Sequence, residues 1–389
     1  MGIKLAKKVA QKKGNIFVFL EILSCEGGIQ SYVRDIFQAY QDLTNYVKSD
    51  DSFLESDILL LRDGKDCENP YQSNSLNFYY LKTKSVWLGR LRLATTLLWF
   101  LLKKQPKQVF CGHINLAPLV QILCVPLGIP YTVLTYGKEV WEPLPNKSQQ
   151  ALKQSANILT ISRYSRDRCC ESNYLDPDKF QLLPCMVDGD KFIPGPKPVD
   201  LIEGYNLQEA KVLMTVARLW SGDPYKGVDV TIRALPKILQ IFPEVKYLVI
   251  GRGDDQPRLA KLAQDLGVGE KVVFAGFVPT EDLVKHYQVA DAYVMPSQEG
   301  FGIVYLEAMA CGVPVLSGDA DGSAEPLQDG RLGWRVPYRD PEAVANACIE
   351  MLKGEDQRCD GQWLREESLK VFGRRAFTER VRQLSTSAG

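Results

Sequence analysis

The sequence has no excess of charge of either sign, because 47 lysines and arginines balance 47 aspartates and glutamates among 389 residues. This balance does not favour a nucleic-acid partner, whose phosphates attract basic surfaces. Only two histidines are present, so a His-based metal site or a catalytic triad is difficult to build. The ten cysteines contain no C-x-x-C pair, and several lie in apolar runs, as expected of buried thiols in a reducing cytosol.

Long hydrophobic runs are also lacking. The longest apolar-rich segment, residues 94–102, is far shorter than the roughly 20 residues that cross a bilayer. The apolar run at residues 16–20 is preceded by five lysines, but it is short and lacks a small-residue cleavage pattern. We therefore interpret this run as a first strand and expect a cytoplasmic protein. The lysines are Lys4, Lys7, Lys8, Lys12 and Lys13.

What the sequence does contain is an alternation of strand and helix patterns. In the first half, strand patterns occur at residues 16–20, 58–61, 78–81, 109–111, 131–135, 158–161 and 180–183. A segment rich in proline and glycine, residues 187–198, ends this alternation. A second alternation of strand and helix patterns starts at residues 212–217. The pattern predicts an α/β protein with two doubly wound parallel sheets. We expect domains at residues 1–190 and 191–365, with a helical tail at 366–389 that crosses back to the first domain.

The most informative stretch is residues 296–315, which reads as strand end, loop, helix and strand. Gly300 and Gly302 allow a tight turn, and the helix is predicted to run from Ile303 to a stop at Gly312. The first turn of such a helix offers N–H groups to a phosphate or a sugar hydroxyl. Two carboxylates, Glu299 and Glu307, flank this turn. For Glu307 the alternative is an ordinary ion pair with an arginine in the core.

Other candidate residues follow predicted strands. Arg218 stands at a strand end and Lys226 at a helix start, and two such cations suit a diphosphate, although any single lysine is equally explained by solvation. Gly27 and Gly28 form a strand-to-helix turn that suits an anion or is an ordinary tight turn. His113 follows a strand at its carboxyl end, where open α/β sheets bind ligands; a helix-capping or core histidine is the alternative.

Together these features closely resemble the family-four retaining glycosyltransferases, the glycosyl transferases of group 1, whose GT-B fold has two Rossmann-like domains facing a central cleft. The resemblance implies that Glu299 binds hydroxyls of the transferred sugar and that Glu307 binds the nucleotide ribose. It implies a pyrophosphate clamp of Arg218 and Lys226, and it places His113 beside the donor sugar and the acceptor. The remaining donor-binding residues implied are Gly27, Gly28, Phe277, Val278, Gly300, Phe301, Gly302 and Ile303. Many relatives have His-Gly where this chain has Tyr136-Gly137.

The function implied is that of a retaining hexosyltransferase. It would move a hexose-type sugar from a nucleotide-diphosphate donor, bound by the second domain, to a glycan or lipid-linked acceptor at the first domain. Neither a metal nor a cofactor is expected, since the sugar nucleotide is a co-substrate. The alternatives are a catalytically silent sugar-nucleotide-binding protein and an epimerase of the same fold.

Three further segments carry expectations. The helix at residues 87–104 combines leucines and two tryptophans with a basic fringe. We favour a crossover helix buried against the sheet, which explains most of the leucines; the alternative is a peripheral contact with the inner face of a membrane. Asp319 and Asp321 imitate a metal-binding D-x-D, but without further ligands we interpret them as turn residues. His286 is expected on the surface.

Overall fold

The structure is a computed structural model that describes residues 14–46, 55–222 and 226–386. The amino-terminal lysines, Lys4 to Lys13, lie outside the described residues. Internal contacts divide the chain into two compact units. The first unit contains Met1–Thr160, Arg166–Leu182 and Thr378–Gly389, and the second contains Ile161–Ser165 and Leu183–Phe377.

The first unit is built on a parallel sheet of seven strands in the order β3-β2-β1-β4-β5-β6-β7. The strands are β1 (Asn15–Phe19), β2 (Ser56–Leu60), β3 (Leu76–Tyr80), β4 (Gln108–Cys111), β5 (Tyr131–Thr135), β6 (Asn157–Thr160) and β7 (Phe180–Leu182). Most residues of these strands are apolar and buried, because helices cover both faces of a doubly wound sheet. In β1, for example, every residue is buried. All seven strands were predicted from the sequence, with bounds that differ by at most two residues.

The helices of the first unit pack on this sheet. They are α1 (Gly28–Tyr46), α2 (Val86–Lys104), α3 (Ala117–Cys124), α4 (Asn146–Gln154) and most of α5 (Arg163–Asn173). Leu93, Leu97, Phe100 and Leu101 of α2 are buried in the core. The interpretation of α2 as a core helix is wrong for its two tryptophans, because Trp87 is 68% exposed and Trp99 is 56% exposed.

The second unit repeats the design with a six-stranded parallel sheet in the order β10-β9-β8-β11-β12-β13. Its strands are β8 (Val212–Val216), β9 (Lys246–Ile250), β10 (Val272–Gly276), β11 (Ala292–Met295), β12 (Val315–Gly318) and β13 (Trp334–Val336). Its helices are α6 (Val199–Gly204), α7 (Val228–Ile241), α8 (Gln256–Asp265), α9 (Leu283–Val289), α10 (Ile303–Ala310), α11 (Pro341–Lys353) and α12 (Gly361–Phe372), and α13 (Arg374–Thr386) runs on into the first unit. The prediction of two doubly wound, Rossmann-like sheets is confirmed.

Two smaller expectations have clear outcomes. His286 on α9 is buried, not exposed: its Nδ1 lies 2.9 Å from the Asp282 carbonyl oxygen, and its Nε2 lies 3.2 Å from the Tyr205 hydroxyl. The thiols of Cys111, Cys124, Cys311 and Cys348 are buried, as predicted. Within the described ranges, no helix has both the length and the apolar character needed to cross a membrane.

Candidate functional site

The candidate donor residues follow the two central strands of the second sheet. Strand order reverses between β8 and β11, so the loops that leave these two strands diverge to opposite faces and open a crevice at the carboxyl edge. Arg218 and Lys226 lie on the segment after β8, and Glu299 lies on the loop after β11. The sheet topology therefore brings the predicted cations and the predicted carboxylate to the same point.

Lys226 and Glu299 form an ion pair between these two loops. Both side chains are largely buried, with 20% and 18% of their surface exposed. The approach depends on Gly227, which has a φ of 76° and begins the turn into α7. A Cβ at this position would lie 2.5 Å from the Pro296 carbonyl oxygen, so only glycine lets the two loops come this close. The ion pair with Glu299 thus holds the charged Lys226 side chain at the end of β11.

The loop that carries Glu299 is held by Asp321. One carboxylate oxygen of Asp321 accepts the Glu299 N–H, and the other accepts the Ser323 N–H at 2.9 Å. Gly322 closes the contact by donating its N–H to the Glu299 carbonyl oxygen at 2.8 Å. Burial raises the pKa of Asp321 to about 6, because desolvation outweighs the hydrogen bonds that favour the charged form. Asp321 does sit in a turn, as predicted, but that turn is also the anchor of the Glu299 loop.

Helix α10 begins where the glycine-flanked turn was predicted to start it. Gly302 caps the helix with a φ of 86°, and a Cβ there would collide with the Tyr305 ring at 2.4 Å. The side chain of Phe301 is buried against Phe372, with 5.9 Å between the ring centroids. Phe301 therefore offers a ligand only its backbone, as do Gly300 and Gly302. The Gly300 carbonyl oxygen accepts a hydrogen bond from the Ser162 hydroxyl at 2.6 Å.

Glu307 lies one turn into α10 and is partly exposed. Its Oε2 accepts a hydrogen bond from the Tyr287 hydroxyl at 2.7 Å, so the partner is a phenol and not the arginine considered from the sequence. The pKa of the Glu307 carboxyl is raised, because desolvation outweighs the Tyr287 hydrogen bond and the charge of Lys191. Tyr287 belongs to a layer of buried tyrosines beneath the site, in which it packs on Tyr293 with 5.9 Å between ring centroids.

Further cations and an exposed aromatic ring lie at the same carboxyl edge of the second sheet. Arg218 and Lys226 line one small cleft, and the Arg218 guanidinium lies 5.3 Å from the Trp220 ring. After β9, the Arg252 guanidinium lies 4.7 Å from the ring of Phe277, which is exposed at the end of β10. An exposed ring with a cation on its face is suited to stack a base or to meet a phosphate. Val278 follows Phe277 and is partly buried.

The first sheet has a matching reversal of strand order between β1 and β4. Gly27 and Gly28 lie on the loop after β1, at the start of α1. This loop is fixed by the buried carboxylate of Asp63, which accepts the N–H groups of Ile22 at 2.7 Å and Ser24 at 2.8 Å. The loop is therefore held in one shape by a residue 39 positions further along the chain.

His113 follows β4 at the same edge. Its Nδ1 accepts the Asn115 N–H at 3.1 Å and caps a short helical turn, so the capping alternative describes this nitrogen. Desolvation, together with the charge of Arg62, lowers the pKa of His113 and favours the neutral ring. Tyr136, which replaces the histidine of many relatives, is buried and donates its hydroxyl proton to the Gly112 carbonyl oxygen at 2.8 Å. The Tyr136 hydroxyl therefore binds the backbone next to His113.

No cluster of three or more histidine, cysteine, aspartate or glutamate side chains in the described part of the chain is arranged to hold a metal ion.

Comparison with known proteins identifies what parts of the chain are similar to. Residues 210–354, within the second unit, match the family model of the glycosyl transferases group 1. The second unit therefore contains a domain of this family. The GDP-mannose-dependent alpha-(1-6)-phosphatidylinositol monomannoside mannosyltransferase of Mycolicibacterium smegmatis is 37% identical over 231 residues, which are 56% of this chain and 59% of that protein. The corresponding monoacylated-substrate enzyme of Corynebacterium glutamicum is 28% identical and covers 84% of this chain and 85% of its own length.

Solved structures of similar fold cover nearly the whole chain. HepE of Anabaena, solved with UDP and glucose, aligns with a TM-score of 0.71 over 96% of this chain and 100% of its own, at 17% identity. Sucrose-phosphate synthase of Thermosynechococcus elongatus aligns with a TM-score of 0.73 over 97% of this chain and 99% of its own, at 20% identity. At these identities the likeness establishes the fold alone.

Four residues of the two candidate sites were not found as site residues from the sequence. Asp63 and Asp321 hold the two loops, Tyr287 binds Glu307, and Arg252 lies against Phe277. Arg252 alone left a visible signal, because it stands between Gly251 and Gly253 directly after a strand. The other three act through partners that are distant in the sequence.

Proposed function

We propose that this protein is a retaining glycosyltransferase that moves a hexose-type sugar from a nucleotide-diphosphate donor to a lipid-linked or glycan acceptor. The observation that carries the proposal is the Lys226–Glu299 pair at the reversal of strand order in the second sheet. A cation there can take the charge of a leaving diphosphate, while the neighbouring carboxylate can bind sugar hydroxyls. Arg218 adds a second cation to the same cleft.

The names of the relatives suggest which substrates to test first. Two of them are GDP-mannose-dependent enzymes that act on phosphatidylinositol mannosides. The aligned part spans only 59% of the first of these proteins, so its substrates are carried over here as a hypothesis. We propose GDP-mannose as the first donor and a phosphatidylinositol-type lipid as the first acceptor, with the enzyme working at the cytoplasmic face of a membrane.

The proposed chemistry is a front-face substitution. The bond between the anomeric carbon and the diphosphate oxygen breaks, and its electron pair leaves with the diphosphate. The acceptor oxygen bonds to the same face of the anomeric carbon and passes its proton to the departing phosphate. Arg218 and Lys226 stabilise the negative charge that develops on that phosphate, without a metal ion. His113 remains a candidate on the acceptor side.

A donor panel tests the proposal. The protein is incubated with GDP-mannose, UDP-glucose and related sugar nucleotides, with and without phosphatidylinositol, and the release of nucleoside diphosphate is measured. We expect slow release from one donor and faster release when the acceptor is present. Formation of an epimer without release would assign the epimerase alternative. Binding of a donor without turnover under any condition would assign a sugar-nucleotide-binding protein.

A further inference from the structure

Helix α2 of the first unit is apolar on two sides. One side, which includes Leu93, Leu97 and Leu101, is buried in the core. The other side is exposed, although an apolar side of a helix is normally covered. We call this exposed side the α2 face; it consists of Trp87, Leu88, Leu91, Leu98, Trp99 and Leu102.

The α2 face continues onto the neighbouring helix. Ile122 and Val125 of α3 and the following turn are exposed, as is Leu127. Leu102 and Leu127 line a common surface cavity, which joins the two parts. Within the described residues, ten of the eighteen exposed large hydrophobic side chains lie between positions 86 and 127. Such concentration in one short stretch marks an interaction surface, since isolated exposed apolar residues are normal but contiguous patches are not.

The charge of this region differs from that of the whole chain. Residues 69–138 contain no aspartate or glutamate, whereas the complete sequence has as many acidic as basic residues. The same stretch contains eight basic residues: Lys82, Lys84, Arg90, Arg92, Lys103, Lys104, Lys107 and Lys138. Lys104 is paired with Asp57 at 2.7 Å, but Lys82, Lys84, Arg90, Arg92 and Lys103 are exposed beside the α2 face. An apolar, aromatic helix face with a basic fringe is suited to an anionic lipid surface.

A cavity of about 490 Å³ opens at the amino-terminal end of α2. Its walls contain the cations Arg62, Lys82, Lys84 and Arg90, and Glu21, the one acidic residue among its lining residues, is paired with Arg62 at 3.1 Å. Leu20 and Leu61, which follow β1 and β2, place it at the carboxyl edge of the first sheet. Val86 of the cavity wall directly precedes Trp87 of the α2 face in the sequence.

We infer that the α2 face docks on an anionic phospholipid bilayer and that the cationic cavity at its end binds the phosphate of a lipid head group. The lipid would keep its acyl chains in the bilayer beside Trp87 and present its head group at the sheet edge. The neutral ring of His113, whose pKa responds to the charge of Arg62, lies at that same edge. The part of this inference that makes the bound lipid an acceptor rests on the proposed function; the docking itself does not.

Vesicle flotation tests the docking without any need for catalysis. The full chain is mixed with vesicles of phosphatidylcholine alone or with about 30% phosphatidylglycerol. We expect flotation with the anionic vesicles and its loss at high salt. Trp87→Ala and Trp99→Ala should each weaken partitioning roughly tenfold. Each substitution removes one of the two large aromatic rings that would be buried in the bilayer on docking. Arg92→Gln should weaken it about fivefold, because one cation near an anionic surface contributes about 1 kcal/mol.

Matched substitutions in the second unit serve as controls. Ile241→Ala removes an exposed apolar side chain and Arg233→Gln removes an exposed cation, so neither should change flotation. Equal effects of these controls, or no flotation of the unaltered protein with anionic vesicles, would overturn the docking inference. A dimer in solution that Trp99→Ala converts to monomer would assign the α2 face to a second copy of the chain and would also overturn it.

The cavity is tested with soluble probes by calorimetry. Glycerophosphoinositol should bind more tightly than inorganic phosphate, and the pair Lys84→Gln with Arg90→Gln should weaken its binding at least tenfold. Equal affinity for the two probes would reject a lipid head group in favour of a simple anion site, and no binding of either probe would reject the cavity as a phosphate site. Because both assays measure binding alone, failure of the donor panel leaves these results interpretable.

Discussion

Replacement of Lys226 by alanine is the most direct test of the donor site. If Lys226 stabilises the leaving diphosphate, the substitution removes one preorganised cation from the transition state, which costs about 2–4 kcal/mol and lowers kcat/KM by roughly 30- to 1,000-fold. The same change also deprives Glu299 of its ion-pair partner. Since both side chains are about four-fifths buried, the pair lies between a surface and a buried one, and we expect a loss of about 1–3 kcal/mol in unfolding free energy.

Two measurements separate these effects. Urea unfolding gives the change in stability, and nucleoside diphosphate release under conditions where the variant is folded gives kcat/KM. The double variant Lys226→Ala with Glu299→Gln should recover part of the lost stability, because no unpaired carboxylate remains. It should recover none of the activity, because the lysine is still missing. Lys237→Ala is the matched control: Lys237 lies on α7 and pairs with Glu342, with 36% and 69% exposed, so its loss should cost less than about 1 kcal/mol and leave turnover unchanged. Equal rates for Lys226→Ala and Lys237→Ala would refute the assignment.

Three further predictions concern the same site. The pKa of Asp321 is raised to about 6 in the folded protein, so the folded state holds this proton more tightly than the unfolded chain. The free energy of unfolding should therefore fall as pH rises from about 4 to about 6. In urea unfolding, Asp321→Asn should show a flatter pH profile of stability than the unaltered protein. A chelator should leave the initial rate of transfer unchanged, because Arg218 and Lys226 supply the positive charge; a loss of activity restored by magnesium or manganese would contradict this. Proton NMR of the first product should show the anomeric configuration of the donor, whereas an inverted anomer would disprove front-face attack.

The sequence was sufficient to predict what depends on local patterns. Apolar strands separated by helical patterns predicted both sheets, and Gly302 and Gly312 predicted the ends of α10. Because ligands bind at the carboxyl ends of parallel strands, the positions of Arg218 and Glu299 after two strands were enough to expect them at one edge. Strand order then brought them together, which the sequence did not specify.

Features that depend on contacts between distant residues could not be predicted. The partner of Asp321 is the N–H of Glu299, which is 22 residues away and becomes a neighbour only because β11 pairs with β12. His286 is covered by Tyr205, which follows α6 and lies 81 residues earlier in the chain, and helical periodicity alone gave no sign of that cover. The exposure of Trp87 could not be predicted for the same reason, since the periodicity of α2 was compatible with a fully buried crossover helix.

The reversal of strand order occurs once in each unit, and each unit has its own hydrophobic core. The loops after β8 and β11 are held by Gly227 and Asp321, whereas the loop after β1 is held by Asp63. Substitutions that reshape one set of loops therefore leave the supports of the other set intact. Under the proposed function this independence would make the chain modular in evolution: changed loops in the second unit would alter the sugar donor and leave the acceptor, and changed loops in the first unit would do the reverse.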